Sequence, residues 1–281
     1  MEMKPSKKTP DEGTDASLSS DILLSVKGLE KRFGGILALS GYDVLVRPGE
    51  LLGLIGPNGA GKTTVFNLLS GVLKPTSGRI FLRGHDVTGL RPDQNARLGI
   101  ARTFQNIRLF QNLSVTDNIK VAFHMRRGKG FWSTLLGLPA QRRAEKSMEG
   151  LAMEHLSQLG LSELKNETAG NLPYGLQRRV EIARALAAGP SLLLLDEPAA
   201  GMNPHETEEL VRIIREIHRR MKLAIFLVEH DMSVVMAVSE RIQVLDQGRV
   251  LAEGPPEVIR NDPRVIEAYL GAPKDRCDAS D

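Results

Sequence analysis

The chain has 281 residues, of which 41% are apolar, and this is enough for a substantial hydrophobic core in one large domain or two modest ones. Its 37 Lys and Arg residues nearly balance its 34 Asp and Glu residues, so the formal charge of +3 argues against a nucleic-acid-binding protein. The single cysteine, Cys277, excludes an internal disulfide and a cysteine-ligated zinc site.

No stretch of the chain approaches the roughly 18 to 20 consecutive apolar residues that a membrane-spanning helix needs. Residues 1–20 are rich in Lys, Pro, Asp, Ser and Thr, and they lack both apolar periodicity and the apolar segment of a signal peptide. We therefore expect a disordered tail over residues 1–20, and a cytoplasmic protein that acts on a membrane only through a partner.

Three apolar stretches separated by Gly- and Pro-containing turns predict strands over residues 22–26, 36–46 and 51–55. Phe33, in the segment KRFGG, follows the first of these strands and lies a short distance before the third. Its flat ring is suited to stacking on an adenine base. Ordinary burial in the core is the alternative for an aromatic residue at a strand end, and the residue alone leaves both open.

The segment after the third predicted strand carries the most specific chemical pattern in the chain. Its sequence, GPNGAGKTT, fits the pattern G-x-x-x-x-G-K-S/T. Its glycines let the backbone turn tightly, so that successive N–H groups point at a phosphate, and the apolar pattern that follows predicts a helix. The predicted phosphate-binding residues are Gly56, Pro57, Asn58, Gly59, Ala60, Gly61, Lys62, Thr63 and Thr64.

Three side chains of this segment have distinct predicted tasks. Lys62 is suited to reach the β- and γ-phosphates as a positive charge, Thr63 to bind Mg²⁺, and Thr64 to approach the α-phosphate. A Gly-rich turn that contains Lys by chance is the alternative. The strand predicted before the segment and the helix predicted after it argue against that alternative.

Further along, a strand is predicted over residues 79–83 and a polar helix over residues 92–98, and an apolar stretch then ends at Gln105. A glutamine at the edge of a nucleotide site can contact Mg²⁺ and a water molecule through its amide. A glutamine in a loop is more often simply solvated, so the residues leave both interpretations open.

Residues 112–170 change to helical periodicity, which predicts a helical insert. A basic break in this insert contains Arg126, Arg127 and Lys129, close to Trp132. A solvated loop is the simplest interpretation of these cations, and binding of lipid headgroups is the alternative.

Residues 175–188 predict a strongly amphipathic helix whose N-terminus, at Gly175, is a second place where backbone N–H groups can receive an anion. The chain has one nucleotide cradle. A second anion site therefore implies a second molecule.

The run SLLLLDEP, residues 191–198, predicts a strand buried on both faces that ends in Asp196 and Glu197. Open α/β sheets bind their ligands at this carboxyl edge. Asp196 is suited to hold the Mg²⁺ shell through water, and Glu197 to orient or deprotonate the attacking water. A solvent-facing acidic turn is the alternative, and the buried leucines argue against it.

Asn203 begins a capping pattern for a helix that runs to about Arg220, and residues 223–228 predict a further buried strand before His230. His230 is suited to contact the γ-phosphate and hold the catalytic water, because one nitrogen of its neutral ring donates a hydrogen bond and the other accepts one. A structural histidine is the alternative. A hairpin over residues 241–251 and a helix over residues 262–270 close the predicted elements.

Taken in order, Phe33, GPNGAGKTT, Gln105, LPYGLQRR, LLLLDEP and His230 resemble the ATP-binding subunits of ABC transporters, over roughly residues 22–271. The resemblance implies an α/β fold: a P-loop NTPase sheet core, an antiparallel β subdomain and a helical subdomain over about residues 107–188. It places these in one domain of residues 21–272, followed by a tail of residues 273–281.

The resemblance also assigns roles to residues. Phe33 becomes the adenine-stacking aromatic, Gln105 the Q-loop glutamine, Asn203 the D-loop position and His230 the switch histidine. Residues 172–176 become the signature segment, in which Gly175 binds nucleotide in trans.

The segments RTFQNIRLF, DEPAAGMNP, VEHDM and NDPRVIEAYLG are similar to the longer of the two ATPase subunits that branched-chain amino-acid importers pair. This likeness implies hydrolysis of ATP with Mg²⁺, transmembrane permease subunits, a second identical or different ATP-binding subunit, and indirectly a solute-binding protein. It implies a peripheral position on the cytoplasmic face of the inner membrane, and no nucleic-acid partner. An importer of urea, amides or another small solute, or a soluble ABC ATPase, is the alternative.

One segment departs from the family pattern. Members usually carry Ser at the second signature position and Gln at the fifth, where this chain has Pro173 and Leu176. Pro173 has neither a side-chain donor nor a backbone N–H. We therefore expect the remaining donors near Gly175 to hold the nucleotide, with a weaker contact in trans.

Overall fold

The computed structural model describes residues 21–127 and 139–270 of the chain. The strands are β1 (Leu24–Phe33), β2 (Ile36–Val46), β3 (Leu51–Ile55), β4 (Ser77–Leu82), β5 (His85–Asp86), β6 (Ile100–Arg102), β7 (Leu192–Asp196), β8 (Ala224–Val228), β9 (Arg241–Asp246) and β10 (Arg249–Gly254). The helices are α1 (Lys62–Leu69), α2 (Pro92–Leu98), α3 (Val115–Arg127), α4 (Pro139–Gln158), α5 (Tyr174–Ala187), α6 (Pro204–Met221), α7 (Met232–Val238), α8 (Pro256–Arg260) and α9 (Pro263–Leu270). None of the helices in this described part is long and apolar enough to cross a membrane.

The strands form two sheets, as predicted for this fold class. The smaller sheet has the order β2-β1-β4-β5 and is antiparallel. The larger has the order β10-β9-β3-β8-β7-β6, in which all neighbours run parallel except β9 and β10. Helices connect the parallel strands, because a parallel pair needs a long crossover.

The larger sheet is covered on both faces, since every residue of β3, β7 and β8 is buried. In β7, Leu192 and Leu194 belong to one hydrophobic core, and Leu193 and Leu195 belong to the other. One core lies between the two sheets and α1. The other joins the larger sheet to α3–α7. The four consecutive leucines therefore bury β7 on both faces, as an unbroken apolar run predicts.

Several boundaries and short elements differ from the sequence-based expectations. The first strand extends to Phe33 rather than ending at residue 26, because its polar half pairs with β2 across irregular register. The short elements β6, α7 and α8 were not predicted, since they have too few residues to display a period.

The helical insert also differs in one respect. Arg126 and Arg127 belong to the last turn of α3 rather than to a loop. Lys129, Trp132 and the tails over residues 1–20 and 273–281 lie outside the described residues.

Candidate functional site

Three parallel strands end at one edge of the larger sheet and carry the predicted site residues there. β3 leads into the phosphate-binding segment, β7 ends at Asp196, and β8 ends just before Glu229 and His230. The backbone N–H of Glu197 donates to the carbonyl of Val228 at 2.9 Å, which extends the pairing of β7 and β8 into the site. Backbone pairing between the strands therefore sets the positions of these three strand ends, independently of side-chain contacts.

The phosphate-binding segment needs glycine at two positions for steric reasons. Gly56 has a φ of 154°, and a Cβ placed there would lie 2.0 Å from the carbonyl oxygen of Leu245. Gly61 has a φ of 107°, and its Cβ would lie 2.8 Å from the carbonyl oxygen of Ala38. These glycines let the segment turn back over β2 and β9 and present its amides above the first turn of α1.

Lys62 begins α1 and folds back over the segment. Its Nζ donates to the carbonyl oxygens of Gly56 at 2.6 Å and Pro57 at 2.9 Å. Burial lowers the pKa of the Lys62 ammonium, and the charge of Glu197 opposes that shift. The charge of Glu197, at the acidic end of β7, therefore acts on Lys62.

Glu197, Gln105 and His230 meet although they are far apart in sequence. The amide Nε2 of Gln105 donates to Oε2 of Glu197 at 2.8 Å, and Nδ1 of His230 lies 3.6 Å from the same oxygen. Glu197 has a φ of 45°, which is uncommon for a residue with a side chain. Such backbone strain is typical of functional positions, because the surrounding structure must enforce it.

Asp196 is buried and makes an ion pair that the sequence did not predict. Its Oδ2 accepts from Nη2 of Arg102 at 2.6 Å, and both side chains are only 6% exposed. Arg102 ends β6, the strand beside β7. A charged residue at the end of a buried strand needs a partner of opposite charge. This requirement could have suggested a basic partner for Asp196 from the sequence.

Glu229 is a second buried acid that the sequence did not single out. Its Oε1 accepts from the backbone N–H of Ala199 at 2.7 Å, in the turn after Glu197. Burial raises the pKa of the Glu229 carboxyl, and the Ala199 hydrogen bond and His230 oppose that shift. Glu229 therefore ties the turn after β7 to the end of β8.

Phe33 is the last residue of β1, beside the turn to β2, and it is 45% exposed. Nζ of Lys31 lies 5.1 Å from the centre of its ring. This exposure excludes burial in the core as the explanation of Phe33. Its contact with an adenine stays a prediction.

The signature segment, residues 172–176, forms the N-terminus of α5. The helix starts at Tyr174, one residue before the predicted position, and Pro173 occupies the N-cap without a side-chain hydrogen bond. A Cβ on Gly175 would lie 2.7 Å from Oε1 of Glu206. The Glu206 carboxylate accepts from the N–H of Asn203, whose side chain in turn accepts from the N–H of Glu206. Asn203 is thus a helix cap in this structure, and its role toward nucleotide stays a prediction.

Arg178 is a further buried cation that the sequence did not single out. It donates to the carbonyl oxygens of Phe104 and Gln105, each at 2.6 Å, and to Glu181 at 2.7 Å. Because Arg178 lies on α5, these bonds join the helix of the signature segment to the backbone that carries Gln105.

A groove of about 730 Å³ runs between α2, β6 and the helical insert. Its lining is partly apolar and partly cationic, and Phe110, on the insert side, is 50% exposed. Arg102, Phe104 and Arg108 lie along it, so the groove adjoins the segment of Gln105.

Comparisons with known proteins agree with this arrangement. A family described as ABC transporter matches residues 39–200, and one described as branched-chain amino acid ATP-binding cassette transporter matches residues 249–275. The chain is 51% identical to the high-affinity branched-chain amino acid transport ATP-binding protein LivG of Escherichia coli K12, over 90% of this chain and 99% of LivG.

Two solved structures are similar to the fold. The ADP conformation of MJ1267, an ATP-binding cassette of an ABC transporter, aligns with a TM-score of 0.77 and 30% identity, over 89% of this chain and 99% of that one. The dimeric post-hydrolysis state of the ATP-binding cassette MJ0796, bound to ADP and Pi, aligns with a TM-score of 0.69 and 25% identity, over 83% and 99%.

Proposed function

Because this chain belongs to the family of ABC transporter ATP-binding subunits, we propose that it hydrolyses ATP to power a permease that imports branched-chain amino acids. The observation that carries the ATPase activity is the meeting of Glu197, Gln105 and His230 beside Lys62. The solute class rests on the match over residues 249–275 and on the similarity to LivG.

ATP binds with its phosphates on the segment between β3 and α1. The amides of this segment and the first turn of α1 supply a positive field for the phosphate oxygens. Lys62 now donates to two loop carbonyls, and it exchanges these for the β- and γ-phosphate oxygens when the nucleotide arrives. Phe33, exposed at the turn of the smaller sheet, stacks on the adenine.

Mg²⁺ accompanies the nucleotide, and the oxygen donors of this edge fit it. Thr63 is exposed on the first turn of α1, and Arg102 engages only Oδ2 of the Asp196 carboxylate. Hydroxyl and carboxylate oxygens, with phosphate and water, are the ligands that Mg²⁺ prefers. Thr63 would hold the ion directly, Asp196 would hold it through water, and Gln105 would contact its hydration shell. When bound, the ion neutralises charge on the β- and γ-phosphates.

Glu197 acts on the attacking water, and His230 holds that water against the γ-phosphate. In the present arrangement, Gln105 donates to the oxygen that Glu197 needs for this task. Movement of the Gln105 segment therefore controls the availability of the base.

A second ATP-binding subunit, identical or different, completes each site. The first amides of α5, around Gly175, have no partner within their own helix and carry the positive end of its dipole. We infer that they face the γ-phosphate held by the neighbouring subunit. The two-subunit arrangement of MJ0796 with ADP and Pi supports this pairing.

The permease docks in the groove beside Gln105, and it holds the chain at the cytoplasmic face of the membrane. The exposed ring of Phe110 and the cations Arg108 and Arg184 offer apolar and charged contacts to a short permease helix. A movement of the permease in this groove displaces Gln105, because Arg178 hydrogen-bonds the backbone of both Phe104 and Gln105. A solute-binding protein acts only through the permease.

The test is to assemble the chain with its permease subunits in proteoliposomes and measure phosphate release. We expect release to rise several-fold when a binding protein loaded with leucine, isoleucine or valine is added, since loaded binding protein favours the closed ATPase pair. The Glu197→Gln variant is the control and gives no stimulated release.

Two results would redirect the proposal. Stimulation only by a binding protein loaded with urea or an amide would assign the chain to that solute. ATP hydrolysis that never responds to a permease would favour the soluble, non-transport ABC ATPase.

A further inference from the structure

Arg102 links two structural elements of the site, the end of β7 and the helix α1. One Nη atom pairs with Asp196 at the end of β7, at 2.6 Å. The other donates to Oδ1 of Asn67 at 2.8 Å and to the hydroxyl of Ser70 at 2.7 Å. Asn67 lies on α1, and Ser70 is the C-cap of that helix. A planar guanidinium with several donors is suited to bridge three fixed acceptors.

The acceptors on α1 lie on the stripe that carries the predicted magnesium ligand. Thr63, Asn67 and Ser70 are spaced by four and then three residues, so they follow one face of the helix. Arg102 therefore fixes the Asp196 carboxylate to the same helix face that presents the Thr63 hydroxyl. These two groups are the oxygen donors that the proposed function assigns to Mg²⁺.

The surroundings keep Arg102 in one position. Its guanidinium carbon lies 4.9 Å from the ring centre of Phe104 and 5.8 Å from that of Phe66. The side chain is 6% exposed, so water and salt do not screen its charge as they screen a surface pair. Among the described residues, Arg102 is the one side chain that hydrogen-bonds the Asp196 carboxylate, and it engages Oδ2 alone. Oδ1 is left for a magnesium-bound water.

We propose that Arg102 is a positioning residue for the metal site: it holds Asp196 against α1 so that Oδ1 and the Thr63 hydroxyl face the same magnesium ion. This inference rests on the proposed ATPase activity. It assigns Arg102 no contact with the nucleotide itself.

The test compares Arg102→Met and Arg102→Lys with the unchanged chain in two assays. The first titrates Mg²⁺ in a steady-state ATPase assay of the assembled transporter. The second measures the affinity of the full-length subunit for a fluorescent ATP analogue, once with Mg²⁺ and once with EDTA. We expect Arg102→Met to raise the Mg²⁺ concentration for half-maximal rate by about 10- to 100-fold, the usual effect of removing a partner that orients a metal ligand. Its affinity for the analogue in EDTA stays close to that of the unchanged chain.

Two further variants separate positioning from simple stability. Asn67→Ala removes one anchor on α1 but keeps the ion pair, so it raises the magnesium requirement in the same direction by a smaller factor. Arg102→Lys keeps the positive charge but loses the planar guanidinium that bonds several acceptors at once. Its magnesium requirement therefore lies between those of the unchanged chain and Arg102→Met. Arg241→Met is the matched control, because Arg241 pairs with Glu50 at 2.7 Å at the other end of the sheet. It keeps the normal magnesium requirement even where its melting temperature drops.

An unchanged or lowered magnesium requirement in Arg102→Met and in Asn67→Ala overturns the proposal. A loss of analogue binding in EDTA equal to the loss with Mg²⁺ also overturns it, because that result describes a damaged phosphate segment. Failure of the proposed ATPase activity is distinguishable, because the unchanged chain would then release no phosphate at any Mg²⁺ concentration in the first assay.

Discussion

The two parts of the nucleotide site are built in opposite ways. The edge of the larger sheet, from Gly56 to Lys62 with Asp196 and Glu197, is held by strand register and buried contacts within one chain. At the start of α5, Gly175 packs on Glu206, and Arg178 in the next turn donates to the carbonyl oxygen of Gln105. The first amides of α5 point outward without a cap from Pro173. The sheet edge is therefore held within a single subunit, whereas the α5 start, in the function proposed above, acts on the nucleotide of a neighbouring subunit.

The Glu197→Gln variant tests the sheet edge most strongly. Glutamine has the size of glutamate and still accepts the hydrogen bond from Gln105, so the fold and the binding of ATP are retained. Loss of the base lowers the rate of phosphate release by about 10²–10⁴-fold. The measurement is single-turnover phosphate release together with ATP affinity. Normal hydrolysis in this variant would show that Glu197 is not the base.

The Lys62→Ala variant tests the same edge at its phosphate end. Removing a charge-assisted contact to the phosphates weakens ATP binding by about 10- to 100-fold, and turnover falls with it. Equilibrium binding of ATP and steady-state hydrolysis measure the two effects. A variant that loses turnover while keeping its ATP affinity would contradict a ground-state role for Lys62, and it would make the contrast with Glu197→Gln disappear.

The sequence predicted most of the sheet edge because each part has a local pattern. The G-x-x-x-x-G-K-S/T spacing, the four leucines before Asp196 and the apolar run before His230 can each be identified without knowledge of the fold. Parallel strands then bring their carboxyl ends together, whichever residues separate them in the chain. This reasoning places Glu197 and His230 at one edge, whereas Gln105 follows β6, which was not predicted, and was assigned to the site only by the family resemblance.

The contacts that fasten this edge could not be predicted in the same way. The pairs of Arg102 with Asp196 and of Arg178 with the carbonyl of Gln105 span 94 and 73 residues. No local period encodes such a pairing, because it depends on which helices and strands become neighbours. The raised pKa of Glu229 likewise follows from burial, which a single sequence does not reveal at an isolated acid.

The Pro173→Ser variant tests the α5 start, and its expected effect is the smallest. Serine restores a backbone N–H and adds a hydroxyl, and one added hydrogen bond to the γ-phosphate is worth about 1 kcal/mol, or roughly fivefold in rate. Pro173→Ala is the matched control, since it restores the N–H without the hydroxyl. ATP hydrolysis by the assembled transporter is the informative measurement, because the isolated subunit has no neighbouring phosphate for the hydroxyl to reach.

The stability of the isolated variants separates this effect from helix capping. Serine is a favourable N-cap residue, so Pro173→Ser can raise the melting temperature of the single subunit without touching nucleotide. A gain in hydrolysis that appears only in the assembled transporter, and is larger for Ser than for Ala, places the hydroxyl on the neighbour's nucleotide. An unchanged rate in both variants would mean that position 173 is silent, and that the amides around Gly175 already supply the whole contact.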